Sequence, residues 1–253
     1  MFADIYKIYA VAFVAALSFN VLSPILPEVS RAFQLERMEG LVQFGGLNNL
    51  LLFLPMGILS LLYAIVGNRI RIPLSLVALV LSLVLFWIYI SQSTLSFTLG
   101  YLFLGSTLGL LIPGLYAVAR GLPNAPPFAT SININIMIGI GLAVGQYASA
   151  LIAQSFSWRL VYLVLACISI LICPVLALSM PSQNLIAERF NINKIPRRAW
   201  LLLAQYLPGS VPWGGFSVFI FSYMETDCGI SKASAVFLVT ILGVGMVSER
   251  SCL

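Results

Sequence analysis

Long apolar runs and short polar stretches alternate from one end of the chain to the other. Eight apolar segments contain no charged residue: 8–26, 41–66, 73–91, 99–119, 132–152, 160–178, 199–223 and 233–247. The first seven are 19 to 26 residues long, and a helix rising 1.5 Å per residue needs about 20 residues to cross a bilayer core. They predict membrane-spanning helices, numbered here as spans 1 to 7, and an all-α, polytopic membrane fold. The eighth differs. Its 15 residues would cover roughly 22 Å of a core about 30 Å thick before Glu249 and Arg250 arrive, so it reads as a span cut short.

Composition agrees with the pattern. Of 253 residues, 60% are apolar and 8% are charged, whereas a soluble domain carries about a quarter charged residues. The 13 basic and 8 acidic residues all fall in the connecting stretches. The chain has no His, and Cys167, Cys173, Cys228 and Cys252 show no metal spacing. Zinc, haem and nucleophile–base chemistry need clustered ligands or a base, so no cofactor, no metal and no enzyme is expected.

The net charge is +5, but the basic residues stand in short turns, where they set membrane orientation rather than form a nucleic-acid footprint. With the N-terminus inside, Lys7, Arg69, Arg71, Arg120, Arg189, Lys194, Arg197, Arg198 and Arg250 are cytoplasmic, against Arg31, Arg37, Arg159 and Lys232 outside. This excess predicts a multi-pass protein with a cytoplasmic N-terminus. The first run ends in proline without a small-residue cleavage site and reads as a retained span. The stretch 180–198 carries four of the inner basic residues. It divides a six-helix bundle, 1–179, from the start of a second bundle, 199–253.

Proline depth adds a further layer, because an intramembrane proline frees a carbonyl and bends its helix. Pro24 lies near the outer end of span 1 and Pro113 nearer the inner end of span 4. Spans 1 and 4 would then lead two three-helix units inserted in opposite directions, a pattern typical of transporters. Span 7, with Pro208 and Pro212, would lead a third. Pro55 in span 2 stands outside this scheme.

Several motifs carry a resemblance to a known family. Gly67-Asn68-Arg69-Ile70-Arg71, after Ala64, resembles the loop between spans 2 and 3 of the major facilitator superfamily, with Asn where that loop usually has Asp and without its second Gly. Gly105-x-x-x-Gly109-x-x-x-Pro113 resembles its span 4, with Tyr101 close to the place of a missing Arg. Ser157-Trp158-Arg159 resembles the Trp-Arg start of its span 6. Pro208-Gly-Ser-Val-Pro212-Trp213-Gly214, then Gly229-Ile-Ser231 and Ala235, resembles a Pro-Trp-Gly subgroup that includes spinster-like permeases. The resemblance covers nearly the whole chain up to Met246. It implies two six-helix bundles with a solute path between them, of which this chain would hold the first bundle, the linker and two spans of the second.

What the resemblance implies for function is a secondary transporter moving a small solute by alternating access. The competing expectation is a truncated, transport-incompetent membrane fragment with a structural or regulatory role. In that family Gly67, Asn68, Arg69 and Arg71 would brace the inward gate through charge-assisted hydrogen bonds; the plainer alternative is two arginines holding a turn inside. Helices 1, 4 and 7 line the family's path, which implies Asn20, Tyr116, Gln205 and Trp213 as path residues. On span 5, Asn135, Gly139, Leu142 and Gln146 recur at helical spacing and would turn the amides of Asn135 and Gln146 one way. Hydrogen bonds between helices are the competing role for each such residue. Gly141, Gly145 and Ser149 form a small-residue stripe suited to close packing. The partners implied are a solute and membrane lipid, with no nucleic acid. No acidic residue falls within the eight segments, so no proton carrier is visible and the coupling ion is open.

Overall fold

Span 1 is two helices rather than one. The computed structural model describes residues 2–19, 21–35, 38–66, 73–120, 126–179, 223–224, 228–231 and 234, and it opens with α1, Phe2–Leu17, followed by α2, Leu22–Ala32. At the junction the amides of Ser18 and Phe19 turn back onto the carbonyls of Ala15 and Ala16 at 3.2 and 3.0 Å, a tightening that ends the α-helical ladder. Pro24, in the first turn of α2, has no N–H to return to the residue four earlier, so resuming the helix there forfeits little.

α2 also runs past the apolar segment. It carries Glu28 and Arg31, whose charges approach to 3.8 Å, and it stops at Gln34, whose φ of 57° turns the chain so that the Leu35 amide donates to the Ser30 carbonyl at 2.9 Å. The expectation that no acidic residue lies in a membrane helix is thereby corrected. Hydropathy marks where side chains change character, whereas the backbone ladder continues until a turn ends it.

Spans 2 to 6 are α3, Met38–Val66; α4, Leu74–Ile90; α5, Thr94–Arg120; α6, Pro127–Ser155; and α7, Trp158–Ser179. Pro127 at the first position of α6 forfeits nothing, because that N–H has no intrahelical partner anyway. Short turns at 91–93 and 156–157 make α4–α5 and α6–α7 sequential hairpins. No strand occurs among the described residues. Four stretches are long and apolar enough to cross a membrane, Ile5–Ala32, Val42–Tyr63, Thr94–Arg120 and Ala129–Ser155, while Leu74–Ile90 and Trp158–Pro174 are shorter apolar helices. The linker 180–198, and nearly all of 199–253, lie outside the described residues.

The most extensive contacts join α3 with α5, α1 with α6, and α4 with α7. In span numbers these are 2 with 4, 1 with 5, and 3 with 6. Exchanging spans 1, 2, 3 for 4, 5, 6 leaves that set unchanged, which is what two inverted three-helix units require. Small residues set the two exchanged contacts. A Cβ at Gly105 would strike the Leu52 carbonyl and one at Gly109 would lie 2.6 Å from the Met56 carbonyl. Across the other pair, a Cβ at Gly141 would strike the Phe13 carbonyl and one at Gly145 would come to 2.5 Å from the Leu17 carbonyl. The Gly141–Gly145 stripe therefore packs helices, as its spacing suggests.

Prolines use the same interface. Pro113 cannot donate to the Gly109 carbonyl, and Ser60 of α3 donates to it instead at 3.0 Å. Pro55 likewise frees the Leu51 carbonyl, which lies against the Gly105 backbone. In this pair each helix thus turns the carbonyl that its own proline released toward its neighbour rather than toward lipid. In the third pair Ser82 of α4 donates to the Ala166 carbonyl of α7 at 2.9 Å.

One end of the bundle is closed by aromatic rings, where α2 finishes and α3, α5 and α7 begin. Phe97 meets Phe33, Phe44, Tyr101, Trp158 and Tyr162 at centroid separations of 5.0 to 5.9 Å. The Tyr101 and Tyr162 hydroxyls lie 2.7 Å apart, fully buried. Arg159 donates to the Ser91 carbonyl at 3.1 Å and covers the Trp158 ring at 5.1 Å. Apolar side chains cover the bundle exterior, including Leu50, Leu54 and Ile58 on α3 and Leu76 and Leu83 on α4, as lipid-facing surfaces must.

Candidate functional site

α6 carries two asparagines, Asn133 and Asn135, two positions apart. At 100° per residue they point to nearly opposite sides of the helix, and the bundle uses both. Asn133 Nδ2 donates to the Tyr9 hydroxyl of α1 at 3.1 Å. On the other side the Tyr116 hydroxyl of α5 donates to Asn135 Oδ1 at 2.8 Å. The Asn135 amide nitrogen closes on the Ser131 carbonyl of its own helix at 3.2 Å, which fixes the orientation of the amide. Two phenols and two amides thus form a belt across α1, α6 and α5.

Accessibility separates the two pairs. Asn135 is exposed and Tyr116 half-buried, whereas Tyr9 and Asn133 are both half-buried against α1 and α6. The Tyr116–Asn135 pair is therefore the one a solute could touch. It is neutral, and it offers hydrogen-bond acceptors beside an aromatic face. No group of three or more metal-ligating side chains occurs among the described residues.

The sequence-predicted residues are placed as follows. Tyr116 and Asn135 are brought into direct contact. Gln146 is not part of that contact; eleven residues further along α6, about 16 Å away by helical rise, it is 3% exposed. Asn20, Gln205 and Trp213, together with Gly67, Asn68, Arg69 and Arg71, lie outside the described residues. Sequence reasoning missed Tyr9 as a partner of Asn133, and it missed the Tyr101–Tyr162 pair. For Tyr9 the signal was available: an aromatic hydroxyl near the N-terminal end of span 1, at the level where span 5, running parallel, places Asn133 near its own N-terminal end.

Comparison with known proteins fits this architecture. Residues 8–250 match the Major Facilitator Superfamily. Over 113 residues the chain is 26% identical to the "Putative transporter AraJ" of Escherichia coli (strain K12), covering 43% of this chain and 27% of that protein. The fold is similar to crystal structures of a bacterial homologue of the human lysosomal transporter Spinster. The inward-facing, occupied form gives a TM-score of 0.66 at 17% identity, over 92% of this chain and 55% of that one. The inward-facing, unoccupied form gives 0.65 at 13% identity, over 95% and 58%. The POT family transporter PepTSo gives 0.56 at 13% identity, over 98% and 54%. This chain thus spans little more than half the length of those solved structures. With a match from residue 8 to residue 250 and helices paired across two inverted units, the chain belongs to the Major Facilitator Superfamily and is an integral, multi-pass membrane protein.

Proposed function

We propose that this chain supplies the first six-helix bundle, 1–179, the linker, 180–198, and the beginning of a second bundle, 199–253, of a secondary transporter that moves a small solute by alternating access. The observation that carries this reading is the exchange-symmetric pairing of spans 2 with 4, 1 with 5 and 3 with 6. It gives a bundle of the kind that rocks as a unit against a second one. The Tyr116–Asn135 pair is its best-supported solute contact: spans 4 and 5 hold it reachable and uncharged. Asn20, Gln205 and Trp213 join it as path residues on the resemblance alone, Gln146 on its helical spacing, and Gly67, Asn68, Arg69 and Arg71 form the gate loop. The N-terminus is cytoplasmic by the excess of basic residues on that side.

The Tyr116–Asn135 pair is uncharged, the charged side chains Glu28 and Arg31 stand toward the end of α2, and burying an unpaired charge costs several kcal/mol. The solute therefore presents a neutral or amphipathic face here. The test is flux into vesicles containing the purified chain, screened with neutral and amphipathic solutes. Flux that saturates, and that falls at least tenfold in Asn135→Leu with the protein still folded, supports the reading. A full-length version that moves none of the solutes refutes it in favour of a membrane fragment with a structural role.

A further inference from the structure

A carboxamide side chain carries two N–H donors and two oxygen lone pairs on one rigid plane. What it can still recognise depends on which of these four are already used. At Asn135 two are. The Ser131 carbonyl can only accept, so the atom facing it at 3.2 Å is the amide nitrogen, and the amide oxygen is then the one that takes the Tyr116 hydroxyl at 2.8 Å. One N–H and one oxygen lone pair are left over among the described residues. Bonds to two helices hold the plane, and it cannot flip without giving up both.

Exposure alone does not separate a solute path from lipid, but direction does. The exposed large apolar and aromatic residues further along α6 are Ile140, Val144, Tyr147 and Leu151. At 100° per residue they stand about 120–180° around the helix from Asn135. Asn135 therefore points away from that stripe and toward α5, where Tyr116 meets it. Gln146 returns to within about 20° of the same direction and is 3% exposed. This face of α6 is thus open at the level of Asn135 and shut at the level of Gln146.

When a solute displaces water from Asn135, the leftover N–H needs an acceptor and the leftover lone pair needs a donor, or each is stranded. A lone hydroxyl offers both from a single atom, whereas the amide projects its two groups from separate atoms of one plane. Another amide answers in kind, with an N–H and a C=O one bond apart, as when asparagine reads the neighbouring donor and acceptor on the edge of a planar base. The half-buried Tyr116 ring beside it favours a flat apolar body next to that edge. We infer that the Tyr116–Asn135 pair selects neutral solutes carrying a carboxamide or lactam on a flat apolar body. This rests on the reading of the pair as a solute contact and adds the class of solute.

The test is saturation-transfer NMR on the purified full chain in deuterated detergent micelles. Benzamide is the probe, N,N-dimethylbenzamide keeps its ring and carbonyl without an N–H, and benzyl alcohol replaces the amide by a hydroxyl. Benzamide should bind saturably and about tenfold more tightly than either, the effect of one unanswered hydrogen bond. That preference should vanish in Asn135→Leu and persist in Val144→Ala, on the opposite side of α6. Asn135→Asp keeps the size and an acceptor for Tyr116 but has no N–H to give. It should lose the benzamide preference and favour benzamidine, a cation whose N–H groups a carboxylate accepts, which preserves the test if the leucine variant fails to fold. Equal affinities for benzamide, N,N-dimethylbenzamide and benzyl alcohol overturn the inference. So does a benzamide preference that survives in both Asn135 variants, or one that Val144→Ala removes as well. Binding is read without flux, so the two proposals fail separately: a benzamide preference in a full-length protein that moves nothing removes only the transport reading, and saturable flux without an amide preference removes only this one.

Discussion

At the scale of single residues, the polar groups inside this bundle work mostly in pairs, and pairing determines what each is worth. The Tyr101 and Tyr162 hydroxyls, 2.7 Å apart and fully buried, each satisfy the other. A single change to Phe strands the remaining hydroxyl in a dry interior, which costs about 1–3 kcal/mol, whereas removing both leaves nothing unmet. Tyr101→Phe and Tyr162→Phe should therefore each lower the unfolding midpoint, and the double variant should lie above the sum of the two losses. Strict additivity would show that the hydroxyls do not depend on each other. The sequence placed Tyr101 near the position of a missing arginine but could not supply its partner. The partner lies 61 residues away, and no local pattern encodes that distance.

At the scale of helices, contact depends on how closely backbones approach and on which carbonyls prolines release. Gly141→Ala and Gly145→Ala push a methyl group into the Phe13 and Leu17 carbonyls, a backbone clash that an overpacked interior resolves at about 1–3 kcal/mol. Gly46→Ala, with nothing within 4 Å of the added carbon, should hold or raise the midpoint, because Ala favours the helix over Gly, so equal losses at all three positions would show that the carbonyl clash is not what costs. The Ser60–Gly109 bond gives a sharper case. Ser60→Ala abandons the carbonyl that Pro113 freed, but in Pro113→Ala the helix can satisfy that carbonyl itself. Ser60→Ala should thus cost more in the native background than in Pro113→Ala, and an unfolding midpoint series over the four proteins reads the difference. Much of this level was legible beforehand. Apolar length located spans 2 to 6 because each forms one continuous helix, and the stripe of Gly141, Gly145 and Ser149 at four-residue spacing gave the packing face of α6. The break in span 1 was not legible. Its residues are uncharged like their flanks, and two polar ones, Ser18 and Asn20, do not interrupt a long apolar window, so hydropathy runs through them, and the backbone bonds of Ser18 and Phe19 show the ladder ending.

At the scale of the whole molecule, the two inverted units explain why the bundle can behave as one body. Contacts run between the units, 2 with 4 and 1 with 5, more than within them, and the aromatic cluster ties α2, α3, α5 and α7 together at one end. In the proposed alternating-access cycle a body held this way would move against a second bundle rather than within itself, and control of that motion would fall to the loops at its faces. Proline depth in spans 1 and 4 signalled the inversion, although it could not show which helices cross-pair, since that depends on glycine contacts distant in sequence. The proposed orientation, with nine basic residues on one face against four on the other, would make the two faces distinguishable by mutation. In that orientation Arg69 would belong to the inner loop that resembles a gate brace, and Arg37 to an outer loop without that resemblance. If the inner loop braces a moving element, Arg69→Ala lowers flux severalfold while leaving the unfolding midpoint near that of the parent protein, and Arg37→Ala leaves both nearly intact. Initial flux rates in vesicles, normalised to folded protein, compare the two. Equal losses would mean that the arginines merely anchor their turns, and the gate would have to be sought elsewhere on the inner face.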